Sequence, residues 1–188
     1  MTAADPTPDP TMTAIGTALA AAPADPGAAR AALHTLWTEI GVTGDALHRC
    51  TLAHHLADLH DDPAEALAWD IRALDAADAL TQERLDRHHP GLARDAFRPS
   101  LHLNLADNYR RLGAFEAATA QLTEARRYAP SLPAGAYGNI VRTAIDEVTQ
   151  AVTRRDTARR ASAPTSSAPN SSAPTSPAPD PSAPDPSP

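Results

Sequence analysis

Apolar residues recur along most of the chain at the three- and four-residue intervals that place side chains on one face of a helix. One such run spans residues 28–40 and another spans 135–158. Runs that alternate apolar and polar residues, as half-buried strands do, are missing from the sequence. The pattern therefore predicts an all-α fold.

Capping signals divide this pattern into separate helices. In the sequence DDPAEAL, Asp62 can cap a helix, Pro63 suits its first position, and Glu65 can reach back to complete a capping box. Asp45 is placed to cap the preceding helix, which we expect to end near residue 60. Thr81 is placed to cap a short helix that follows. The sequence thus predicts short helices joined by brief connections.

Composition sets the limits of the folded region. Alanine supplies much of the 42% hydrophobic content and aromatic residues only 4% of the chain, which favours thin helices packed closely together. Residues 1–27 are rich in proline, and we expect a disordered leader with a helical turn or two around 12–22. Residues 159–188 are dominated by proline, alanine and serine, a composition that predicts a disordered tail. The folded domain is therefore expected over 28–158.

The run NLADNYRRLGAFEAA, residues 104–118, indicates two helices joined by a tight turn. The first helix should end at Leu112, because Gly113 takes the left-handed backbone of a helix terminus without penalty. Phe115 should then begin a helix that folds back across the first one. Close approach of two helices needs a small residue at the crossing, and Ala118 is placed there.

The stretch 100–130 resembles the tetratricopeptide repeat, a pair of antiparallel helices of about 34 residues. It departs from the repeat at His102, where the family usually has tryptophan. The positions that carry the resemblance are Leu105, Ala106, Tyr109, Gly113, Phe115, Ala118, Ala125 and Pro130.

A second, weaker copy lies upstream, with Ala66 and Ala73 at the positions of the two later alanines. The repeats are predicted at about 47–80 and 99–132, with 135–158 as a C-terminal capping helix. The resemblance implies a short right-handed solenoid of antiparallel helix pairs with capping helices. The chain as a whole is similar to uncharacterised repeat proteins of high-GC actinobacteria, a likeness that implies no particular activity.

Proteins of this repeat family bind other proteins, and the resemblance implies that the first helix of each pair lines a concave groove. Asparagine and arginine in such a groove can bind a peptide backbone and a carboxylate. The family's carboxylate clamp would need basic residues where Leu103 and Thr51 stand, so that particular recognition is not predicted. The predicted partner-binding residues are Asn104, Asp107, Asn108, Arg111, His55 and Asp58.

Charge and targeting signals limit the classes of partner and the cellular location that we expect. The net charge of −7 and pI near 5.5 do not provide the basic surface of a nucleic-acid-binding protein. The first 16 residues have no basic region, and the alanine-rich stretch 14–22 is too short for a signal peptide or a membrane span. Cys50 is the only cysteine, so no intrachain disulfide can form. We expect a cytoplasmic protein that binds neither nucleic acid nor membrane.

Chemistry-bearing motifs give little support to catalysis. Cys50 and His54 have the four-residue spacing of two metal ligands on one helix face, but no second pair with supporting spacing completes a site. The sequence contains no glycine-rich phosphate loop, nucleophile elbow or HExxH motif. We therefore predict a protein that is not an enzyme and has no cofactor or bound metal.

The function predicted from these observations is that of an adaptor, which binds a peptide or helix of another protein. One alternative is a regulatory domain that senses a peptide or ligand, although residues before 28 are too few to supply a DNA-binding helix-turn-helix. Another is a metal-binding accessory protein built around residues 48–60. A homodimer is a further alternative, because two repeats leave apolar ends that a second copy can cover.

Overall fold

The computed structural model describes residues 9–160, and these residues fold entirely as helices and connections. The prediction of an all-α fold is therefore confirmed for this part of the chain. Two short 3-10 helices, Arg94–Phe97 and Ala129–Ser131, join the longer elements. The α-helices are α1 Pro10–Ala21, α2 Pro26–Ile40, α3 Ala46–Asp58, α4 Pro63–Asp78, α5 Gln82–Asp86, α6 Arg98–Arg111, α7 Phe115–Tyr128 and α8 Ala136–Thr153.

The predicted helix boundaries follow from side chains that cap the backbone. Asp45, Asp62 and Thr81 each accept hydrogen bonds from backbone N–H groups at the starts of α3, α4 and α5. Gly113 has a φ of +78° between α6 and α7, as the turn requires. The capping box predicted for Glu65 is not formed, because its Oε2 lies 2.7 Å from Nδ1 of His60 and is held there.

Within the predicted disordered leader, residues 1–27, the helical turns expected around 12–22 are part of α1, and the prediction of disorder is wrong for the rest of α1 and for the start of α2. Pro10 and Pro26 occupy the first positions of these helices, where a missing N–H costs nothing. Ile15 is only 1% exposed and lies in the same core as residues of α2, α3 and α4. Residues 1–8, and the predicted disordered tail from residue 161 onward, lie outside the described residues.

An ion-pair cluster ties α1 to the rest of the fold. Asp9 caps α1 by accepting from two backbone N–H groups, and its Oδ2 lies 2.8 Å from both Nε2 of His48 and a terminal guanidinium nitrogen of Arg84. The Nε of Arg84 also donates to Asp45, the cap of α3, at 2.6 Å. One guanidinium on α5 therefore holds the starts of two helices together.

The helices pack in consecutive pairs. The most extensive contacts join α3 with α4 and α6 with α7, while α4 packs on α6 and α8 packs on both α6 and α7. The small residues expected at the crossings, Ala66, Ala73, Ala118 and Ala125, are all buried. This helix-on-helix packing agrees with a helical repeat, and it leaves α6 at the centre of the molecule.

Two side chains of the second repeat, Phe115 and His102, make contacts that the repeat pattern does not predict. Phe115 is half-buried, and the guanidinium of Arg155 covers its ring at 4.5 Å from the ring centre. His102, in place of the family's tryptophan, is buried, stacks on Tyr128 and has its Nδ1 2.8 Å from Oε1 of Gln121. A polar ring is accommodated there because α7 supplies a hydrogen-bond partner.

Candidate functional site

A cavity of about 330 Å³ lies beside α6, lined by residues of α3, α4, α6 and α8 and by the segment that follows α8. Its size is at the lower end of the range for ligand sites in proteins. Among the described residues that line it are five of the six predicted partner-binding residues, Asp58, Asn104, Asp107, Asn108 and Arg111.

The helical period explains why four of these residues meet. Asn104, Asp107, Asn108 and Arg111 follow one another at intervals of three, one and three, which places them on one face of α6. Another face of α6 carries Leu105 and the other repeat residues toward the core. A single helix thus presents an amide-rich polar stripe to the cavity.

The sixth predicted residue, His55, does not line this cavity. Its side chain is buried, and burial together with the neighbouring His54 lowers the pKa of His55 to about 3. The ring is therefore neutral at ordinary pH. His55 is thus the one predicted residue that the fold does not bring to this cavity, although its position three residues before Asp58 on α3 predicts a shared face.

Asp70 on α4 also lines the cavity and is not among the predicted site residues. The residue is 0% exposed. Its Oδ2 accepts a hydrogen bond from Nδ2 of Asn108 at 2.8 Å, but its Oδ1 has no hydrogen-bond partner among the described residues. An unpaired buried carboxylate oxygen is rare, because it loses its hydration without replacement.

Asp58 on α3 supplies a second carboxyl group to the cavity. The nearest donor to its Oδ1 is Nδ2 of Asn104 at 3.4 Å, and its Oδ2 lies 4.0 Å from Nε2 of His54. Burial raises the pKa of Asp58, while His54 and the amide of Asn104 act in the opposite direction. This carboxyl group is therefore only weakly satisfied by its neighbours.

The two carboxyl groups disfavour each other's charge. Burial is the main cause that raises the pKa of Asp70 well above its ordinary value, and the charge of Asp58 adds to it. The amides of Asn108 and Asn104 oppose that rise without cancelling it. The floor of the cavity therefore carries acidic groups that hold protons more firmly than exposed aspartates do.

Arginines line another part of the cavity, and the structure gives each of them an acidic or carbonyl partner. Arg111 donates to Oδ1 of Asn108 at 3.1 Å and also to the backbone carbonyl of Asp61. Arg159 pairs with the carboxylate of Asp61, and Nη1 of Arg160 lies 3.3 Å from Oε2 of Glu147.

The segment after α8 reaches the cavity because a buried arginine holds it. Arg110 is 0% exposed, bonds Asp107, and donates to the backbone carbonyls of Asp156 and Ala158. Arg155 has a φ of +52°, which helps to turn the chain back. The capping helix predicted over 135–158 ends earlier, at Thr153, and residues 159 and 160 of the predicted disordered tail are held by ion pairs with Asp61 and Glu147.

Metal ligands do not assemble in the described part of the chain. Burial raises the pKa of the Cys50 thiol to about 12, so the thiolate form that binds metals is disfavoured. Across residues 9–160, no group of three or more His, Cys, Asp or Glu side chains is arranged to hold a metal ion. Likewise, none of the described helices combines the length and apolar character needed to cross a bilayer.

Comparison with known proteins leaves the resemblance to the tetratricopeptide repeat as a hypothesis based on the residues of 100–130. No protein-family model, curated protein or solved structure matches this chain.

Proposed function

We propose that this protein is a cytoplasmic, non-catalytic adaptor that binds a segment of another protein in the cavity beside α6. The observation that carries the proposal is that Asn104, Asp107, Asn108 and Arg111 line one cavity together with Asp58 of the preceding helix pair. The proposed scaffold is a short solenoid of the tetratricopeptide kind. In such a scaffold a groove between successive helix pairs is the natural place for a partner.

The lining suits an extended peptide better than a reaction centre. Asparagine side chains both donate and accept hydrogen bonds, so Asn104 and Asn108 can pair with the N–H and C=O groups of a peptide backbone. Leu103, Ile140 and Val141 lie on the same cavity wall and offer apolar contact to a side chain. A mixture of amide donors and an apolar wall is typical of peptide recognition.

Peptide display tests this proposal. The immobilised full-length chain is used to select peptides from a random library, and their affinities are measured by fluorescence anisotropy. We expect the double variant Asn104→Ala/Arg111→Ala to bind the selected peptides at least about tenfold more weakly, because each lost hydrogen bond to a charged or buried group weakens binding several-fold.

A matched control is available on α8. Asn139 and Arg142 are the same two residue types, are both exposed, and do not line the cavity. The variant Asn139→Ala/Arg142→Ala should bind the peptides as the wild type does. Equal weakening by both double variants, or by neither, would refute the cavity as the binding surface.

A further inference from the structure

The cavity is lined by the buried carboxyl group of Asp70 and the partly exposed carboxyl group of Asp58, and none of the described residues places a cation on Asp70. Oδ1 of Asp70 is without a hydrogen-bond partner among the described residues, and Asp58 has only the weak contacts given above. The described arginines that line the cavity bond instead to Asn108, Asp61, Asp107 and Glu147. The cavity thus presents acceptors that the described part of the chain leaves unsatisfied.

We propose that the cavity binds the guanidinium group of an arginine side chain of the partner, held between Asp70 and Asp58. This inference rests on the proposed function, because the arginine is carried by the bound peptide. Oδ1 of Asp70 accepts one N–H of the guanidinium, and Asp58 accepts another. The amide of Asn104 then remains available to the peptide backbone, while Asn108 keeps its hydrogen bonds with Asp70 and Arg111.

Physical chemistry favours guanidinium over other donors. A buried carboxylate without a partner is costly, and a charge-assisted hydrogen bond removes that cost more completely than a neutral donor does. Guanidinium has five N–H donors in a plane, so one group can serve two carboxylates at once. It is also more weakly hydrated than an ammonium group, so moving it into the cavity costs less.

The size and protonation of the site agree with this ligand. A cavity of about 330 Å³ has room for a long side chain and adjoining backbone but not for a large folded element. Burial raises the pKa of both carboxyl groups in the empty site. A bound cation favours their ionised forms, and the described residues place no fixed cation on Asp70 to do so.

The first experiment titrates the full-length protein with N-acetyl-L-arginine amide and follows the side-chain amide NMR signals of Asn104 and Asn108. N-acetyl-L-citrulline amide, a neutral molecule of nearly the same shape, is the ligand control. We expect saturable shifts with the arginine compound and at least about tenfold weaker binding of the citrulline compound. Equal binding of the two compounds, or no binding of the arginine compound, would overturn the proposal.

Variants then assign the contact. Asp70→Asn and Asp58→Asn keep the side-chain shape and remove one charge each, and we expect each to weaken binding of the arginine compound at least about tenfold. Asp146→Asn changes an exposed aspartate of α8 outside the cavity and should bind as the wild type does. Folding of every variant is checked by circular dichroism. Unchanged binding by a folded Asp70→Asn variant contradicts the assignment.

Further ligands test which kind of cation binds and whether it comes from a peptide, and they allow the two proposals to fail independently. N-acetyl-L-lysine amide binding more tightly than the arginine compound refutes the preference for guanidinium. Free L-arginine binding more tightly than the capped compound refutes a peptide as the source. If library peptides bind through Asn104 and Arg111 but show no preference for arginine, the adaptor proposal stands and the cation site falls. If the arginine compound binds and no peptide does, the adaptor proposal falls.

Discussion

Replacing Asp70 by asparagine should make the protein more stable at neutral pH. The variant removes a carboxyl group that is 0% exposed and has one oxygen without a hydrogen-bond partner among the described residues. The carbonyl of the introduced amide can still accept the hydrogen bond that Asn108 now donates to Oδ2 at 2.8 Å. The favourable contact is kept, while the desolvated acidic group is lost.

The size of the effect follows from the cost of leaving a buried polar group unpaired. That cost is about 1–3 kcal/mol, and in a chain of this length 1 kcal/mol corresponds to about 2–4 °C in the melting temperature. We therefore expect Asp70→Asn to raise the melting temperature by about 2–12 °C at pH 7. A residue that weakens the fold but supplies a ligand contact is typical of functional sites.

The effect should also depend on pH. Because the folded-state pKa of Asp70 is raised above 3.8, the unfolded chain loses this proton first as the pH rises. The free energy of unfolding therefore falls by about 1.4 kcal/mol per pH unit between pH 3.8 and the raised pKa of Asp70, and it stays at the lower level above that pKa. The stability gained by Asp70→Asn should be small near pH 4 and should grow as the pH increases.

Thermal unfolding followed by circular dichroism from pH 4 to pH 8 measures this difference, with Asp146→Asn as the exposed control. The control should change the melting temperature by no more than the small amount usual for surface positions. A lower melting temperature for Asp70→Asn would show that Asp70 makes a stabilising interaction, and a gain that is the same at every pH would show that its ionisation is not the cause. The reasoning about an unsatisfied carboxyl group would then be refuted.

Three further predictions concern the scaffold. Asp9→Ala removes a helix cap, an ion pair with Arg84 and a hydrogen bond with His48, so hydrogen exchange in α1 should speed up by roughly 30-fold for a loss of about 2 kcal/mol. Asp25→Ala removes only the cap of α2 and should cost about 1 kcal/mol, and equal effects would show that the contacts with Arg84 and His48 contribute nothing. Because the pKa of His55 is lowered to about 3, the wild type should lose up to about 1.4 kcal/mol of stability per pH unit as the pH falls from 6.5 toward 3. His55→Leu should reduce this slope in acid unfolding curves, and an unchanged slope would show that other groups cause the acid sensitivity. The Cys50 thiol, buried and with a pKa raised to about 12, should react with a thiol reagent only after denaturation, and rapid labelling of the native protein would contradict its burial.

Local features of the fold were predictable from sequence because neighbouring residues determine them. A cap depends on a side chain and the backbone two or three positions away, so Asp45, Asp62 and Thr81 were recognisable. The turn at Gly113 depends on one residue that accepts a positive φ. The polar stripe of α6 follows from the helical period alone.

The predictions of disorder at the two ends of the folded domain fail because contacts with distant residues hold these segments in place. The proline content of the first 27 residues predicts disorder, yet Pro10 and Pro26 begin helices. Arg84, which lies 75 residues away from Asp9, helps to hold α1 in place. Arg110 does the same for the polar segment after α8, through carbonyls 46 and 48 residues away.

Asp70 shows where the sequence held a signal that was missed. The buried stripe of α4 consists of Ala66, Trp69, Ala73, Ala76 and Ala77, and Asp70 lies in the middle of it. An acidic residue at the centre of an apolar stripe must be either paired or functional, because burial of its charge is otherwise costly. Which of these holds depends on the neighbouring helix.

The sequence by itself determined the helices, their caps, the turn after α6 and the face of α6 that carries amides and charges. All of these depend on residues within a few positions of one another along the chain. Tertiary structure alone decided which faces meet. It brought Asn108 to Asp70, which is 38 residues away along the chain, and it buried His55 away from the cavity. It also placed the carboxyl groups of Asp58 and Asp70 in the lining of the same cavity. Such contacts depend on how helices pack, and no local pattern encodes that choice.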